Sequence, residues 1–183
     1  MIGGVGVIAA VIASSSASAR RSGEASEADP GTLVQDTEHR YQLRLSSDWR
    51  AMKVDPASRT PQAGYQHRGG ATLAINRVDY PNLAAWRKGT FPDYADEVER
   101  GFRDAVRDYR RDSRRTHHLG IVPALDLSFR HRGDSGDHIV HVRVLFYRLY
   151  SLTIVASIPA TTRRSQRRAP RDAVASFQPY LRS

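Results

Sequence analysis

The 183-residue chain contains no cysteine. That absence removes thiol catalysis, disulfide staples, iron–sulfur clusters and thiolate zinc sites together. It leaves the redox compartment open, because a cysteine-free chain is stable in either setting. Lysine is nearly missing too: of 28 basic residues only Lys53 and Lys88 are lysines, and asparagine stands only at Asn76 and Asn82. Arginine therefore occupies positions where other proteins place lysine, as a GC-rich coding sequence would produce. The skew alone is no argument for phosphate recognition. No G-x-S-x-G, H-E-x-x-H, P-loop or G-x-G-x-x-G occurs, which takes away the short signatures of hydrolases, zinc proteases and nucleotide binders. Gly3-Gly4-Val5-Gly6 lies in an apolar leader and has no such meaning.

What remains is enough for one ordinary domain with a short appendage. A domain of about 150 residues buries roughly 68–70% of its unfolded surface and needs no metal or disulfide to fold. The net charge is +9. Such a balance suits nucleic acid, an anionic membrane or an acidic partner. Two segments carry much of the excess. Arg100 to Arg115 sets seven arginines against Asp104, Asp108 and Asp112, and Arg163 to Asp172 sets five against one acid. In the second, Arg163, Arg164, Arg167, Arg168 and Arg171 would share one face of a helix. They are the candidate contact with an anionic partner, and otherwise a solvated face.

Met1 to Ala19 carries no charge, runs apolar from Ile2 to Ala13 and closes on Ala17-Ser18-Ala19. An apolar run of this length with an Ala-x-Ala end reads as an export signal and is too short for a membrane span. Its positive charges, Arg20 and Arg21, follow the run rather than precede it. Residues 20–31, rich in Ser, Ala, Glu and Gly, read as a linker. The expected organisation is a leader over 1–19, a linker over 20–31 and one α+β domain over 32–183.

Within the domain, Tyr41, Leu43 and Leu45 alternate with polar residues as in a half-buried strand. Ala63 to Val78 reads as a hairpin turning at Gly69-Gly70. Asp93 to Tyr109 has helical spacing through Tyr94, Val98, Phe102, Ala105 and Tyr109, with acids early and arginines late. Leu125, Leu127 and Phe129 alternate before Gly133-Asp134-Ser135-Gly136, and Val140, Val142 and Val144 alternate after it. Closing that hairpin on Arg132 and Asp137 opposes Phe129 to Val140, Leu127 to Val142 and Leu125 to Val144. Asp126 then meets Arg143, and Ser128 meets His141, on an outer face. A slip of one residue would spoil both faces. Tyr150 to Ile158 adds a third strand stopped by Pro159, and Ala169 to Leu181 a final helix packing Val174, Phe177 and Leu181.

This order of elements resembles the PsbP-like α/β/α sandwich family. The carrying segments are Tyr41 to Trp49, Leu119-Gly120-Ile121-Val122-Pro123-Ala124, Tyr150 to Pro159 and Ala173 to Phe177, within a match over Tyr41 to Leu181. Ser46 to Asp48 depart from the Pro and Gly usual in the family before the Trp. The family includes the extrinsic photosystem subunit PsbP, a yeast Ran-binding import factor and many exported bacterial proteins without assigned function. The resemblance implies an antiparallel sheet of about six strands covered by helices. It implies a binding or assembly module and transfers no catalytic residue.

Chemistry-bearing residues are thinly spread. His117 and His118 point to opposite faces of a strand, as do His138 and His141. His131 faces His138 across the hairpin end, but no third metal ligand stands nearby in sequence, although Asp134 and Asp137 are close. Arg132-Gly133-Asp134 spells an adhesion tripeptide with residues that a turn wants anyway. Asp93, Asp96, Glu97 and Glu99 are explained by the helix dipole. No catalytic residue, metal ligand or cofactor is assigned. The expectation is a non-catalytic exported module of the periplasm or exterior, without a membrane span in its mature form. Its partner would be a protein or a cell-envelope component. The alternative is a basic binder of nucleic acid or anionic polymer; tyrosines beside arginines at Tyr109, Tyr147 and Tyr150 are its weak support. An enzyme with an unrecognised site is the third reading, and a deep cleft lined by perturbed acids or histidines would favour it.

Overall fold

A computed structural model describes residues 31–53, 63–79, 91–147 and 149–180. The expected leader, nearly all of the linker, and Leu181 lie outside the described residues. The strands are β1 (Thr32–Asp36), β2 (Tyr41–Leu45), β3 (Trp49–Ala51), β4 (Ala63–His67) and β5 (Thr72–Asp79). They are followed by helix α1 (Phe91–Ala105), then β6 (Arg107–Leu119), β7 (Val122–Gly133), β8 (Gly136–Phe146) and β9 (Tyr150–Pro159). A single 3-10 turn (Arg164–Arg167) leads into α2 (Arg168–Ser176), and β10 (Gln178–Pro179) closes the order.

Among the described residues seven strands form the main sheet in the order β3-β4-β5-β9-β8-β7-β6, every neighbouring pair antiparallel. A small sheet, β1-β2-β10, lies apart from it. The β7–β8 register is the one derived from alternation: Phe129 opposes Val140, Leu127 opposes Val142 and Asp126 opposes Arg143. β9 runs through the middle of the sheet and is buried on both faces from Ser151 to Ile158.

Two cores sandwich the main sheet. On one face Tyr94, Ala95 and Phe102 of α1 pack on Leu125, Leu127, Phe129, Val140, Val142 and Val144. On the other, Ala173, Val174 and Phe177 join Tyr41, Leu43 and Leu45 of β2 over Leu73, Ile75, Leu152, Ile154 and Ile158. That second layer is therefore part helix and part small sheet, and strands outweigh helices in the molecule.

Three expectations need correction. The strand count rises from about six to ten among the described residues. The added strands β1, β3, β6 and β10 are all at sheet edges, where one flank meets water and alternation fades. The helix expected through Tyr109 ends at Ala105, and Tyr109 belongs to β6. Tyr109 matches the helical period only because it reaches the same core from the next strand, its ring 4.8 Å from Phe129 and its hydroxyl 3.1 Å from Glu99. The last helix stops at Ser176; Phe177 is extended, and the chain then pairs with β2 at Gln42 and Tyr41.

Candidate functional site

Residues directly opposite in an antiparallel ladder share a face. The register thus sets Ser113, Ser128 and His141 in one row and Arg115, Asp126 and Arg143 in the next. Both rows lie on the face that α2 covers. Arg143 is 8% exposed. It grips Asp126 in a bidentate pair, Nε to Oδ1 at 2.6 Å and Nη2 to Oδ2 at 2.8 Å. Its Nη1 donates to the carbonyls of Ala175 at 2.6 Å and Phe177 at 3.1 Å. Carbonyls at a helix end lack intrahelical partners, and a cation there also complements the dipole. His117 Nε2 lies 3.0 Å from Asp126 Oδ2. Both carboxylate oxygens are thus engaged, and Asp126 is a dock for α2 rather than a free base. This pair does not stand on an outer face: α2 closes over it, a position that strand alternation cannot reveal.

Beside this dock an open cleft of about 330 Å3 runs between α2 and the β6–β8 rows. Ser113, Ser128, His141 and Arg171 line it. Burial lowers the His141 pKa, and the positive charge of Arg171 lowers it further against the opposing pull of Asp112. The ring is therefore neutral at pH 7, with one N–H to give.

The five arginines singled out in the sequence do not form one helical face. Arg163 is extended, Arg164 and Arg167 are in the 3-10 turn, and Arg168 and Arg171 are in α2. Four are exposed. Arg167 is half-buried and donates to the carbonyls of Thr162 at 2.8 Å and Ala160 at 2.6 Å, bracing the β9–α2 connection. Arg168 and Arg171 flank Asp172 at 3.2 and 4.0 Å. Of the five, Arg171 reaches the cleft.

Part of the other arginine-rich segment lies on the same face of the sheet. Arg107 opposes Arg132, Arg110 opposes Arg130 and Arg115 opposes Asp126, so these side chains share the α2 face. Arg130 is bound to Asp112 at 3.1 Å. Arg111 and Arg114 belong to the opposite face, where they pair with Glu99 and Asp96 of α1. Arginines from two stretches far apart in sequence thus share one side of the main sheet, and Arg171 of the second stretch lines the cleft there. Ser113 escaped the sequence reading, and Arg115 entered it only as one end of a basic segment, because β6 has almost no apolar alternation. The signal available was the cross-strand row, once β6 is known to be a strand.

Elsewhere, His131 and His138 stack with ring centroids 5.4 Å apart. His138 is held by Ser135 Oγ at 2.9 Å and Ser157 Oγ at 3.0 Å. Among the described residues no group of three or more His, Asp or Glu comes together as a metal site. No described helix is long and apolar enough to cross a membrane.

No family model matches the chain, and no curated protein matches it. Solved structures do. The solution structure of cyanobacterial PsbP (CyanoP) from Synechocystis sp. PCC 6803 superposes with a TM-score of 0.59 at 18% identity, over 86% of this chain and 98% of that one. PA94 of Pseudomonas aeruginosa, a protein of unknown function, gives 0.52 at 15% identity over 82% of this chain and 98% of its own. LpqN of Mycobacterium tuberculosis, involved in cell envelope biogenesis, gives 0.52 at 14% identity over 82% and 86%. With an antiparallel sheet held between α1 on one face and α2 with β1-β2-β10 on the other, this chain has the PsbP-like fold.

Proposed function

We propose that the protein is a non-catalytic exported module that binds an anionic envelope component through its arginine-lined face. The observation that carries this reading is the division of charge. The carboxylate best placed for chemistry, Asp126, is committed to Arg143 and His117. Exposed arginines of β6 and β7, namely Arg107, Arg110, Arg115, Arg130 and Arg132, meanwhile share the face of the main sheet that α2 covers, where Arg171 lines an open cleft. The structural similarity to LpqN, itself involved in cell envelope biogenesis, supports an envelope setting. The apolar run before Ala17-Ser18-Ala19 supports export, with a mature chain beginning near Arg20.

Retention on heparin, a soluble polyanion matrix, tests the binding reading. Retention should fall steeply with salt, because contacts to a dense anion release counterions. It should also fall when Arg110, Arg115 and Arg171 are changed together to Gln. Retention at no more than the level of a neutral protein of equal size would reject the anionic partner. Intact-mass measurement of natively produced protein tests export; a chain retaining Met1 in the cytosol would reject it.

A further inference from the structure

We infer that the cleft beside α2 is a discrete phosphate-binding site, formed by Ser113, Ser128, His141 and Arg171; this rests on the anionic-partner reading and narrows it. Arrangement, not net charge, is the basis. Ser113 and Ser128 oppose each other across β6 and β7, and Ser128 opposes His141 across β7 and β8. Three hydrogen-bonding side chains from three adjacent strands therefore stand in one row on the cleft wall. Arg171 faces them from α2, close enough to depress the His141 pKa.

The negative charges nearby are already answered. Asp126 is paired with Arg143, Asp112 with Arg130 at 3.1 Å, and Asp172, 4.0 Å from Arg171, with Arg168 at 3.2 Å. The carbonyls at the end of α2, which would repel an anion, accept from Arg143. The cleft thus offers two hydroxyls, an imidazole N–H and a guanidinium, with no unpaired carboxylate on its wall. A tetrahedral phosphate presents three or four acceptor oxygens in different directions and can use donors arriving from both a sheet and a helix. A planar carboxylate presents its acceptor sites close to one plane and matches donors arriving from two elements less well. The volume of about 330 Å3 exceeds a single phosphate group, so the open end leaves room for the remainder of a phosphate ester.

The test titrates the whole folded protein at constant ionic strength, following the His141 ring signals by NMR. One arm uses inorganic phosphate, and the other uses vesicles of phosphatidylglycerol in phosphatidylcholine followed by co-sedimentation. Saturable shifts of His141 with phosphate support a site for the free group. Vesicle binding lost on competition with phosphate assigns the source to a lipid headgroup. Ser128→Val keeps the strand geometry and removes the hydroxyl, and Arg171→Gln alters an exposed helix position. Each should weaken binding about tenfold, the loss of one charge-assisted contact, with thermal unfolding unchanged in Arg171→Gln. Absence of saturable binding in both arms overturns the site, as does Arg171→Gln binding equal to the parent. Salt-dependent heparin retention surviving that outcome would leave the broader reading standing and remove only the discrete site.

Discussion

At the scale of single residues, the decisive side chain is Arg143. A buried guanidinium is stable only when its donors are met, and here Asp126 and the end of α2 meet them together. Asp126→Ala strands that charge. Loss of one partner of a fully buried pair costs about 3–5 kcal/mol. The Asp126 side chain is 31% exposed, so water replaces part of the loss and about 2–3 kcal/mol is expected by chemical denaturation. An exposed surface pair would cost under about 1 kcal/mol, so the measurement distinguishes a dock from a surface ion pair. The histidines make a second prediction. His67, His131, His138 and His141 all have pKa values lowered first of all by burial. Below about pH 6.5 the unfolded chain binds protons that the folded chain refuses. Stability is therefore full above that pH and falls as the medium acidifies toward the lowered folded values. His131 carries a buried Nε2 without a hydrogen-bond partner and stacks on His138. His131→Phe should flatten the acid limb of the stability profile without lowering stability at pH 8.

At the scale of elements, β6 is the instructive case. It is a 13-residue edge strand with register shifts after Arg107 and after Arg111, and Asp108 sits at a φ of 56°. Charge and bulges of this kind keep an edge from pairing with another chain. Its attachment to α1 is ionic. Glu99, 14% exposed, accepts from Tyr109 at 3.1 Å and Arg111 at 2.9 Å and lies 3.3 Å from Arg114 Nε. Glu99→Gln keeps the shape and removes the charge. It should cost about 1–2 kcal/mol, and hydrogen exchange should quicken first in β6. Unchanged exchange there would show that β6 is held by its ladder to β7 alone.

At the scale of the whole molecule, the five arginines before and within α2 divide by role. Arg163, Arg164, Arg168 and Arg171 stand in water. Replacing these four by Gln should move the unfolding free energy by no more than about 0.5 kcal/mol each, while raising mobility on a cation exchanger. Arg167→Gln alone should cost about 1 kcal/mol or more, because it unties the Thr162 and Ala160 carbonyls. Equal small effects at all five positions would deny Arg167 its brace. The field around the cleft sums both basic stretches, so its influence on an anionic ligand shrinks over a Debye length of about 8 Å at physiological salt.

The sequence by itself determined whatever alternation can encode. The β7–β8 register follows from Phe129 and Val140 needing one face and Asp126 and Arg143 the other, since a strand has period two. β2, the β4–β5 hairpin and β9 were legible for the same reason, most of α1 from its helical period, and the resemblance to PsbP-like proteins was carried by their order. Edge strands such as β6 were not legible, because a strand with one solvated flank does not need apolar alternation. Which polar face would be covered was not legible either. Alternation separates Asp126 from Leu127 but cannot say that α2, which begins at Arg168, closes over Asp126 and Arg143. Only tertiary structure decided that. It also decided that Ser113, Ser128, His141 and Arg171 share one cleft, because proximity among side chains from three strands and a helix is set by sheet order and packing.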